Sequence, residues 1–215
     1  MKRIAVFGAG GFGKEVAMLI EQINASVPAW HMVGFFDDGI PKGAVVNGYT
    51  CLGGVADVNQ LQESTGLVLA IGNPAIKKKI DEQLQNPAIY YPVLVHPNVQ
   101  MGDRRYMDMG EGTIITAGNL LTVNIKLGRH VILNLACTVG HDAVLEDYVS
   151  VMPGVNISGG VAIREGVYIG TGAKIINHLE IGSHTIVGAG AVVINSLPGS
   201  CTAVGVPAKP IKFHE

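Results

Sequence analysis

A six-residue spacing of aliphatic side chains runs through the second half of the chain and constrains its fold more than any other feature. Fifteen aliphatic residues follow one another at this interval without a break, from Met109 to Val193. A second register, two residues earlier in each repeat, is mostly small or apolar from Ile125 to Ala191. In a hexapeptide β-helix, each short strand and its corner use six residues and return one large apolar side chain to the axis. The spacing therefore predicts a parallel β-helix.

The first ninety residues follow a different pattern, in which short apolar runs alternate with amphipathic segments. We predict strands over Lys2–Phe7, 33–36 and 67–71, and helices over 14–24, 55–62 and 75–84. Strands that alternate with helices are typical of a small parallel sheet with βαβ connections. Two Pro-containing pairs, Tyr91-Pro92 and His96-Pro97, mark the expected hinge. The sequence thus predicts an α/β domain over residues 1–91 and a β-helix domain over residues 92–215.

Composition narrows the possible functions and partners. Charged residues make up 15% of the 215 residues and the formal net charge is −2, with no basic stripe, so we expect no binding to nucleic acid. The cysteines at positions 51, 137 and 201 have neither metal-ligand nor redox spacing, which favours a reducing cytoplasm. We find no cleavable signal pattern and no apolar run of membrane-spanning length, so we expect no membrane span.

A glycine-rich turn suggests that the first domain binds a phosphate group. The segment from Gly8 to Gly13 satisfies the pattern G-x-G-x-x-G between a predicted strand and a predicted helix. Glycines let the backbone approach a phosphate, and the helix N-terminus offers free N–H groups. Asp37 and Asp38 end the second strand, where an acid would meet a ribose. A turn that serves only helix–strand packing is the alternative. The small domain favours a nucleotide-activated small molecule over NAD.

One histidine in the repeat is a candidate general base. His141 lies two residues beyond the axial Val139, near a corner where its side chain can project outward. An imidazole exchanges a proton readily near neutral pH. Asp142 could hold the ring in one tautomer, although this needs a bent backbone, and Glu146 or Asp147 could substitute. The alternative is a surface histidine that hydrogen-bonds only to its neighbour, and position alone favours it.

The remaining histidines of the repeat argue against a metal site. His178 and His184 are six residues apart and are expected to stack on one face of successive strands. Zinc needs three ligands that converge on one point, and we expect neither His130 nor His141 to converge with this pair. We therefore expect no bound metal.

Five segments, spread in order over nearly the whole chain, carry a resemblance to a known family. They are Phe7 to Gly13, Phe36-Asp37-Asp38, Ala70-Ile71-Gly72-Asn73, Gly140-His141-Asp142 and Gly205-Val206-Pro207-Ala208-Lys209. Together they resemble the sialic acid O-acetyltransferase NeuD family, whose members include the PglD-like N-acetyltransferases of UDP-linked 4-amino sugars.

The resemblance implies a fold, an assembly and a set of site residues. It implies a Rossmann-like nucleotide-sugar domain, a left-handed parallel β-helix, and a homotrimer that binds acetyl-CoA between adjacent subunits. His141 would be the general base, Asp142 the acid that raises its basicity, and Asn134 a neighbour of the acceptor. The positions that match the nucleotide-sugar site are Gly10, Gly11, Phe12, Asp37, Asp38, Gly72 and Asn73. The positions that match the CoA groove are Ser150, Gly159, Thr171 and Ala189.

Three positions depart from the common family pattern. Ser150 stands where many members have histidine, Phe12 where some have a polar residue, and Lys77 where others have arginine. These differences bear on the choice of nucleotide sugar and on CoA binding more than on the reaction.

The sequence as a whole predicts a cytoplasmic, acetyl-CoA-dependent acetyltransferase that acts on a nucleotide-linked amino sugar, with UDP as the expected nucleotide. O-acetylation of a sialic acid or another free sugar is the second enzymatic reading. A γ-type carbonic anhydrase-like zinc protein and a non-catalytic scaffold are the alternatives from other classes. The acylated position and the length of the acyl chain are not predicted.

Overall fold

The structure is a computed structural model that describes residues 1–214 of a chain that forms two compact units. The first unit is Met1–Pro97, and the second begins at Asn98. The first unit contains helices and parallel strands, whereas the second consists mostly of strands two residues long.

The first unit contains these strands and helices: β1 (Lys2–Phe7), α1 (Gly11–Ser26), β2 (Trp30–Phe36), β3 (Val45–Val46), β4 (Tyr49–Thr50), α2 (Val55–Val58), β5 (Thr65–Leu69), α3 (Pro74–Gln83), β6 (Ile89–Tyr90) and β7 (Leu94–Val95). A parallel sheet in the order β2-β1-β5-β6 forms its centre. All of residues 4–7 in β1 are buried, so this central strand is covered on both faces. Phe7, Phe36 and Val58 belong to the core cluster on one face. The carboxyl ends of β1, β2 and β5 consequently meet at one edge of the sheet.

The predicted strands and helices of this unit occur in the predicted order, with some differences in their bounds. β1 has the predicted bounds, whereas α1 begins within the glycine turn, at Gly11. α2 ends at Val58 instead of continuing to residue 62. Just beyond this end, the Asn86 side chain donates hydrogen bonds of 2.8 and 2.9 Å to the carbonyl oxygens of Val58 and Leu61.

The second unit is a parallel β-helix, with one short 3-10 helix, η1 (Arg104–Tyr106). Its strands are β8 (Gln100–Met101), β9 (Met107–Met109), β10 (Ile114–Ile115), β11 (Leu120–Leu121), β12 (Ile125–Leu127), β13 (Ile132–Leu133), β14 (Thr138–Val139), β15 (Val144–Leu145), β16 (Ser150–Val151), β17 (Asn156–Ile157), β18 (Ala162–Ile163), β19 (Tyr168–Ile169), β20 (Lys174–Ile175), β21 (Glu180–Ile181), β22 (Ile186–Val187), β23 (Val192–Val193), β24 (Cys201–Val204) and β25 (Lys209–Phe213).

Three sheets form the sides of this helix. Sheet I contains β10, β13, β16, β19, β22, β24 and β25; sheet II contains β8, β11, β14, β17, β20 and β23; sheet III contains β9, β12, β15, β18 and β21. Paired residues in neighbouring coils are eighteen apart, as in Leu133 with Val151 and Val151 with Ile169. Each coil therefore uses three six-residue repeats, one for each sheet.

The six-residue registers have the predicted roles. The axial residues from Ile115 to Val193 are all buried, and only Met109, in the first strand of its sheet, is half-buried. The second register is buried as well, apart from the half-buried Leu179. The period of the aliphatic residues therefore reflects one large side chain turned inward on every side of every coil.

The corners of the coils impose a second six-residue period that the apolar pattern does not reveal. Every sixth residue from Gly112 to Gly190 has a positive φ, including Asn124, Asp142 and His178. Glycine adopts this left-handed conformation easily and Asn, Asp and His do so more often than other residues, which explains their recurrence here. Residues six apart consequently lie on different corners. The expected stacking of His178 and His184 is therefore wrong, because only residues eighteen apart lie above one another.

Candidate active site

The corner between sheets II and III carries the candidate general base. We call it corner II/III; it includes residues 122–124, 140–142, 158–160 and 176–178 of successive coils. The exposed His141 donates a hydrogen bond of 2.8 Å from Nδ1 to Oδ2 of Asp142. Adjacent side chains can meet in this way because Asp142 has a φ of 60°, which supplies the bend that the pairing requires. The pair leaves Nε2 of the imidazole available to a substrate.

A third polar side chain of corner II/III completes this arrangement. Asn124 lies one coil below Asp142 and donates a hydrogen bond of 3.0 Å from Nδ2 to Oδ1 of the carboxylate. The hydrogen bonds from Asn124 and then from His141 are the main reasons why the pKa of Asp142 lies below its ordinary value. The carboxylate is therefore ionised at neutral pH and stabilises the imidazolium that forms when Nε2 takes up a proton. The eighteen-residue offset between Asn124 and Asp142 is the sequence signal that identifies Asn124.

Gly159 is the predicted CoA-groove residue that lies beside His141. It occupies the next coil of corner II/III, where a Cβ atom would lie only 2.5 Å from Cε1 of the His141 ring. The imidazole therefore occupies the space that a side chain at position 159 would need.

The other predicted catalytic and CoA residues lie on different parts of the β-helix. Asn134 is buried at the corner between sheets I and II, where its Oδ1 accepts a hydrogen bond from the Leu135 N–H. Thr171 and Ala189 are exposed on that same corner in successive coils, and Ser150 is buried in sheet I. A single chain thus brings Gly159 to His141 but places these four residues elsewhere.

The two other carboxylates considered as partners of His141 are engaged on a different corner. Glu146 accepts a hydrogen bond of 2.8 Å from Arg164, and Asp147 accepts one of 2.7 Å from the Arg129 N–H. Both line a groove of about 360 Å³, and the groove also contains Glu165. Its carboxylates disfavour the phosphate groups of CoA and of nucleotides.

Three glycines at the start of α1 differ in whether protein packing requires them. A Cβ atom at Gly13 would overlap the carbonyl group of Gly8, so this glycine permits the close packing of α1 on β1. A Cβ atom at Gly10 or Gly11 would meet nothing within 4 Å. Since no protein contact requires glycine at these two positions, their lack of a side chain leaves space for a ligand at the N-terminus of α1. The adjacent Phe12 is half-buried.

The predicted ribose contacts shape the loops at the same edge of the sheet. Asp37 accepts hydrogen bonds of 2.8 Å from the N–H groups of Ala9 and Gly39. Asp38 accepts one of 2.9 Å from the Val55 N–H, at the start of α2. Asp37 therefore ties the glycine turn to the end of β2.

The loop after β5 is closed in a similar way. Asn73 follows the half-buried Gly72 and accepts a hydrogen bond of 3.1 Å from the Ile76 N–H, so it caps α3. The loops after β1, β2 and β5 all open at the edge of the sheet where open α/β folds bind ligands.

Metal and thiol chemistry find no support within residues 1–214. No group of three or more His, Cys, Asp or Glu side chains is arranged there to hold a metal ion. The three cysteines are free and buried, and burial raises the pKa of the Cys137 thiol to about 11. Cys137 is therefore protonated at neutral pH and is not a nucleophile. In the same described part of the chain, no helix has both the length and the apolar character needed to cross a bilayer.

Comparison with known proteins gives matches for both units. The PglD N-terminal domain model matches residues 3–84. The GDP-perosamine N-acetyltransferase of Escherichia coli O157:H7 is 31% identical over 166 residues, which are 77% of this chain and 74% of the relative.

Two crystal structures resemble nearly the whole chain. Perosamine N-acetyltransferase from Caulobacter crescentus, solved with CoA and GDP-perosamine, is 28% identical with a TM-score of 0.88, covering 99% of this chain and 98% of the other. The acetyltransferase domain of PglB from Neisseria gonorrhoeae, solved with acetyl coenzyme A, is 33% identical with a TM-score of 0.87, covering 98% and 99%. The predicted fold class, a Rossmann-like α/β domain followed by a left-handed parallel β-helix, is confirmed.

Proposed function

The chain belongs to the PglD-like family of sugar acetyltransferases, and we propose that it transfers the acetyl group of acetyl-CoA to the amine of a nucleotide-linked amino sugar. The prediction of an acyltransferase is confirmed by this membership. N-acetylation is favoured over O-acetylation of a free sugar because the named relatives are N-acetyltransferases.

The observation that carries the proposal is the hydrogen-bonded set Asn124–Asp142–His141. As the sugar amine attacks the thioester carbonyl carbon, Nε2 of His141 accepts the proton that the amine releases. The C–N bond forms, the tetrahedral intermediate collapses, and the C–S bond breaks. The imidazolium returns its proton to the departing sulfur, which leaves as the thiol of CoA. Asp142 holds Nδ1–H throughout and stabilises the charged ring, while backbone N–H groups stabilise the oxyanion.

The nucleotide site belongs to the loops after β1, β2 and β5. Gly10 and Gly11 leave space at the N-terminus of α1, where backbone N–H groups favour a diphosphate. Asp37 and Asp38 hold the surrounding loops, and the lone pairs that remain on their carboxylates would accept hydrogen bonds from the ribose hydroxyls. Because two relatives act on GDP-perosamine or bind it, a GDP-linked amino sugar is the first substrate to test, and the UDP-linked sugar expected from the sequence is the second.

A homotrimer with active sites between its subunits is part of the proposal. Thr171 and Ala189, which match the CoA groove, lie on a different corner from His141 in one chain. A second copy that faces corner II/III with its own Thr171 and Ala189 would complete the CoA site. We place the reaction in the cytoplasm, because free cysteines are typical of a reducing compartment.

Replacement of His141 tests the proposed reaction. We expect His141→Asn to lower kcat by about 10²–10⁴-fold, the range for a lost general base, while CoA still binds. Rates should be measured with GDP-linked and UDP-linked amino sugars and with sialic acid, and CoA binding by calorimetry. Turnover of the variant close to that of the natural chain would refute the role of His141. Acetylation of sialic acid alone would instead favour the O-acetyltransferase.

A further inference from the structure

Gly159 is the corner glycine that lies against the imidazole of the candidate base. Its missing side chain leaves a space that is filled by the outer edge of the His141 imidazole. The three atoms closest to an added Cβ are Nε2, Cε1 and Cδ2 of that ring, the latter two at 2.5 and 2.8 Å. Gly159 itself is buried and has no φ in the left-handed region. The φ at this position therefore does not require glycine, and the three atoms nearest to an added Cβ all belong to the imidazole.

Gly140 and Gly170, which also lack a left-handed φ, meet backbone atoms instead. A Cβ at Gly140 would lie 2.5 Å from the Gly159 nitrogen and 2.7 Å from the Ser158 carbonyl carbon. At Gly170 it would lie 2.6 Å from the Ala189 nitrogen. These two glycines permit close backbone contact between coils, and the fold requires them. The atoms closest to Gly159 belong to a side chain in the candidate site.

We propose that Gly159 is a positioning residue for acetyl transfer, which sets the place of the His141 ring and keeps Nδ1 against Asp142. In this role Gly159 acts through the imidazole. The inference rests on the proposed function of His141 as the base. It differs from the expectation that Gly159 lines the CoA groove, because the effect of a side chain would fall on the chemical step and not on CoA binding.

The size of the effect follows from the distances. Ordinary van der Waals contact begins near 3.4 Å, so a methyl group at position 159 would force the ring to retreat by about 1 Å. The His141 side chain is 59% exposed and can move without disturbing the core. A misplacement of about 1 Å in a catalytic group lowers a rate by roughly 10²-fold. Gly159→Ala should therefore damage catalysis while leaving the fold intact.

Kinetics and thermal unfolding of Gly159→Ala test the proposal. We expect kcat to fall by roughly 10²-fold, with KM for acetyl-CoA changed by less than about threefold. Tm should change by no more than about 2 °C. In a His141→Ala background, Gly159→Ala should have no further effect on the residual rate, because the two residues act as one unit.

Gly166→Ala is the matched control. A Cβ there would lie 2.5 Å from Nδ1 of His184, so it would displace an imidazole on a different corner. Gly166 also has a φ of 67°, so its replacement should lower stability by about 1–2 kcal/mol while kcat is kept. Gly159→Ala should thus lose kcat and keep its stability, whereas Gly166→Ala should lose stability and keep its kcat.

Two results would overturn the inference. The first is a kcat for Gly159→Ala within about threefold of that of the natural chain, while His141→Asn is inactive. The second is a variant in which the main change is in KM for acetyl-CoA, because this would mean that Gly159 lines the CoA groove. Full activity of His141→Asn would instead remove the proposed base itself, and the positioning role with it.

Discussion

The two units of this protein use polar side chains for opposite purposes. On corner II/III of the β-helix, Asn124 and Asp142 hold the imidazole of His141, which points outward and remains exposed. In the α/β unit, the Asp37 and Asn73 side chains accept hydrogen bonds from backbone N–H groups of their own loops. On the β-helix, polar side chains therefore hold another side chain at the surface, whereas in the α/β unit they hold the backbone of their own loops. Substitutions in the first should change rates, and those in the second should change binding or folding.

Asp142→Asn should give the largest effect of the substitutions that examine this contrast. An amide can donate to Nδ1 and stabilise the wrong tautomer, and it provides no charge for the imidazolium. We expect kcat to fall by about 10–10²-fold, less than for His141→Asn, with a shifted pH–rate profile. Hydrogen bonds from Asn124 and His141 lower the pKa of Asp142, so its carboxylate is ionised across the pH range of the assay.

Glu146→Gln is the control for this prediction, because Glu146 is bound to Arg164 on a different corner. The control should keep the kcat and the pH profile of the natural chain. An unchanged profile for Asp142→Asn together with a loss in Glu146→Gln would transfer the supporting role to Glu146.

Gly13→Ala and Gly10→Ala compare folding with binding inside the α/β unit. Gly13→Ala forces a methyl group against the Gly8 carbonyl, and such overpacking lowers the free energy of unfolding by about 1–3 kcal/mol. Gly10→Ala meets no protein atom, so stability should change by less than about 0.5 kcal/mol. KM for the nucleotide sugar should nevertheless rise by roughly tenfold, which corresponds to about 1.4 kcal/mol.

Urea unfolding followed by the fluorescence of Trp30 measures the first effect, because the chain contains one tryptophan and it lies in β2. The His141 site should be unaffected in both variants, so kcat at saturating substrate is the internal control. A normal KM in Gly10→Ala would show that the glycine turn serves packing alone.

The sequence predicts the β-helix better than the arrangement of its site, for a physical reason. Axial side chains must be large and apolar in every coil, so their period is visible along the chain. Corner residues obey a conformational rule, a positive φ, that Gly, Asn, Asp and His all satisfy. The contact between Asn124 and Asp142 depends on the eighteen-residue coil, and the place of His141 depends on an absent side chain at Gly159.

In the α/β unit, the positions of the candidate ligand residues are predictable but their bonds are not. The ends of β1, β2 and β5 place Asp37 and Asn73 at the correct edge of the sheet. A carboxylate or an amide at such an edge can accept hydrogen bonds from a ribose or from the N–H groups of its own loop, and the chemistry is the same in both cases. Only the fold decides which N–H groups lie within reach, and here Ala9 and Ile76 are the partners.

Lys77 of α3 is a buried amine in the same unit, and its energetics differ from those of the exposed site. Its side chain is 0% exposed, and burial lowers its pKa well below the usual value. The unfolded chain binds a proton at Lys77 with a pKa near 10.4. Between the lowered pKa and about 10.4, the unfolded state therefore holds more protons than the folded state, and stability rises with pH.

Lys77→Met should remove this dependence of stability on pH. We expect the free energy of unfolding of the natural chain to rise between pH 7 and about 10, by at most about 1.4 kcal/mol per pH unit from this residue. The Lys77→Met chain should show a flatter curve over the same range, measured by urea unfolding with Trp30 fluorescence. Lys79→Met, on the exposed side of α3, controls for the change in net charge. Parallel curves for the natural chain and Lys77→Met would mean that the amine is charged in the folded unit.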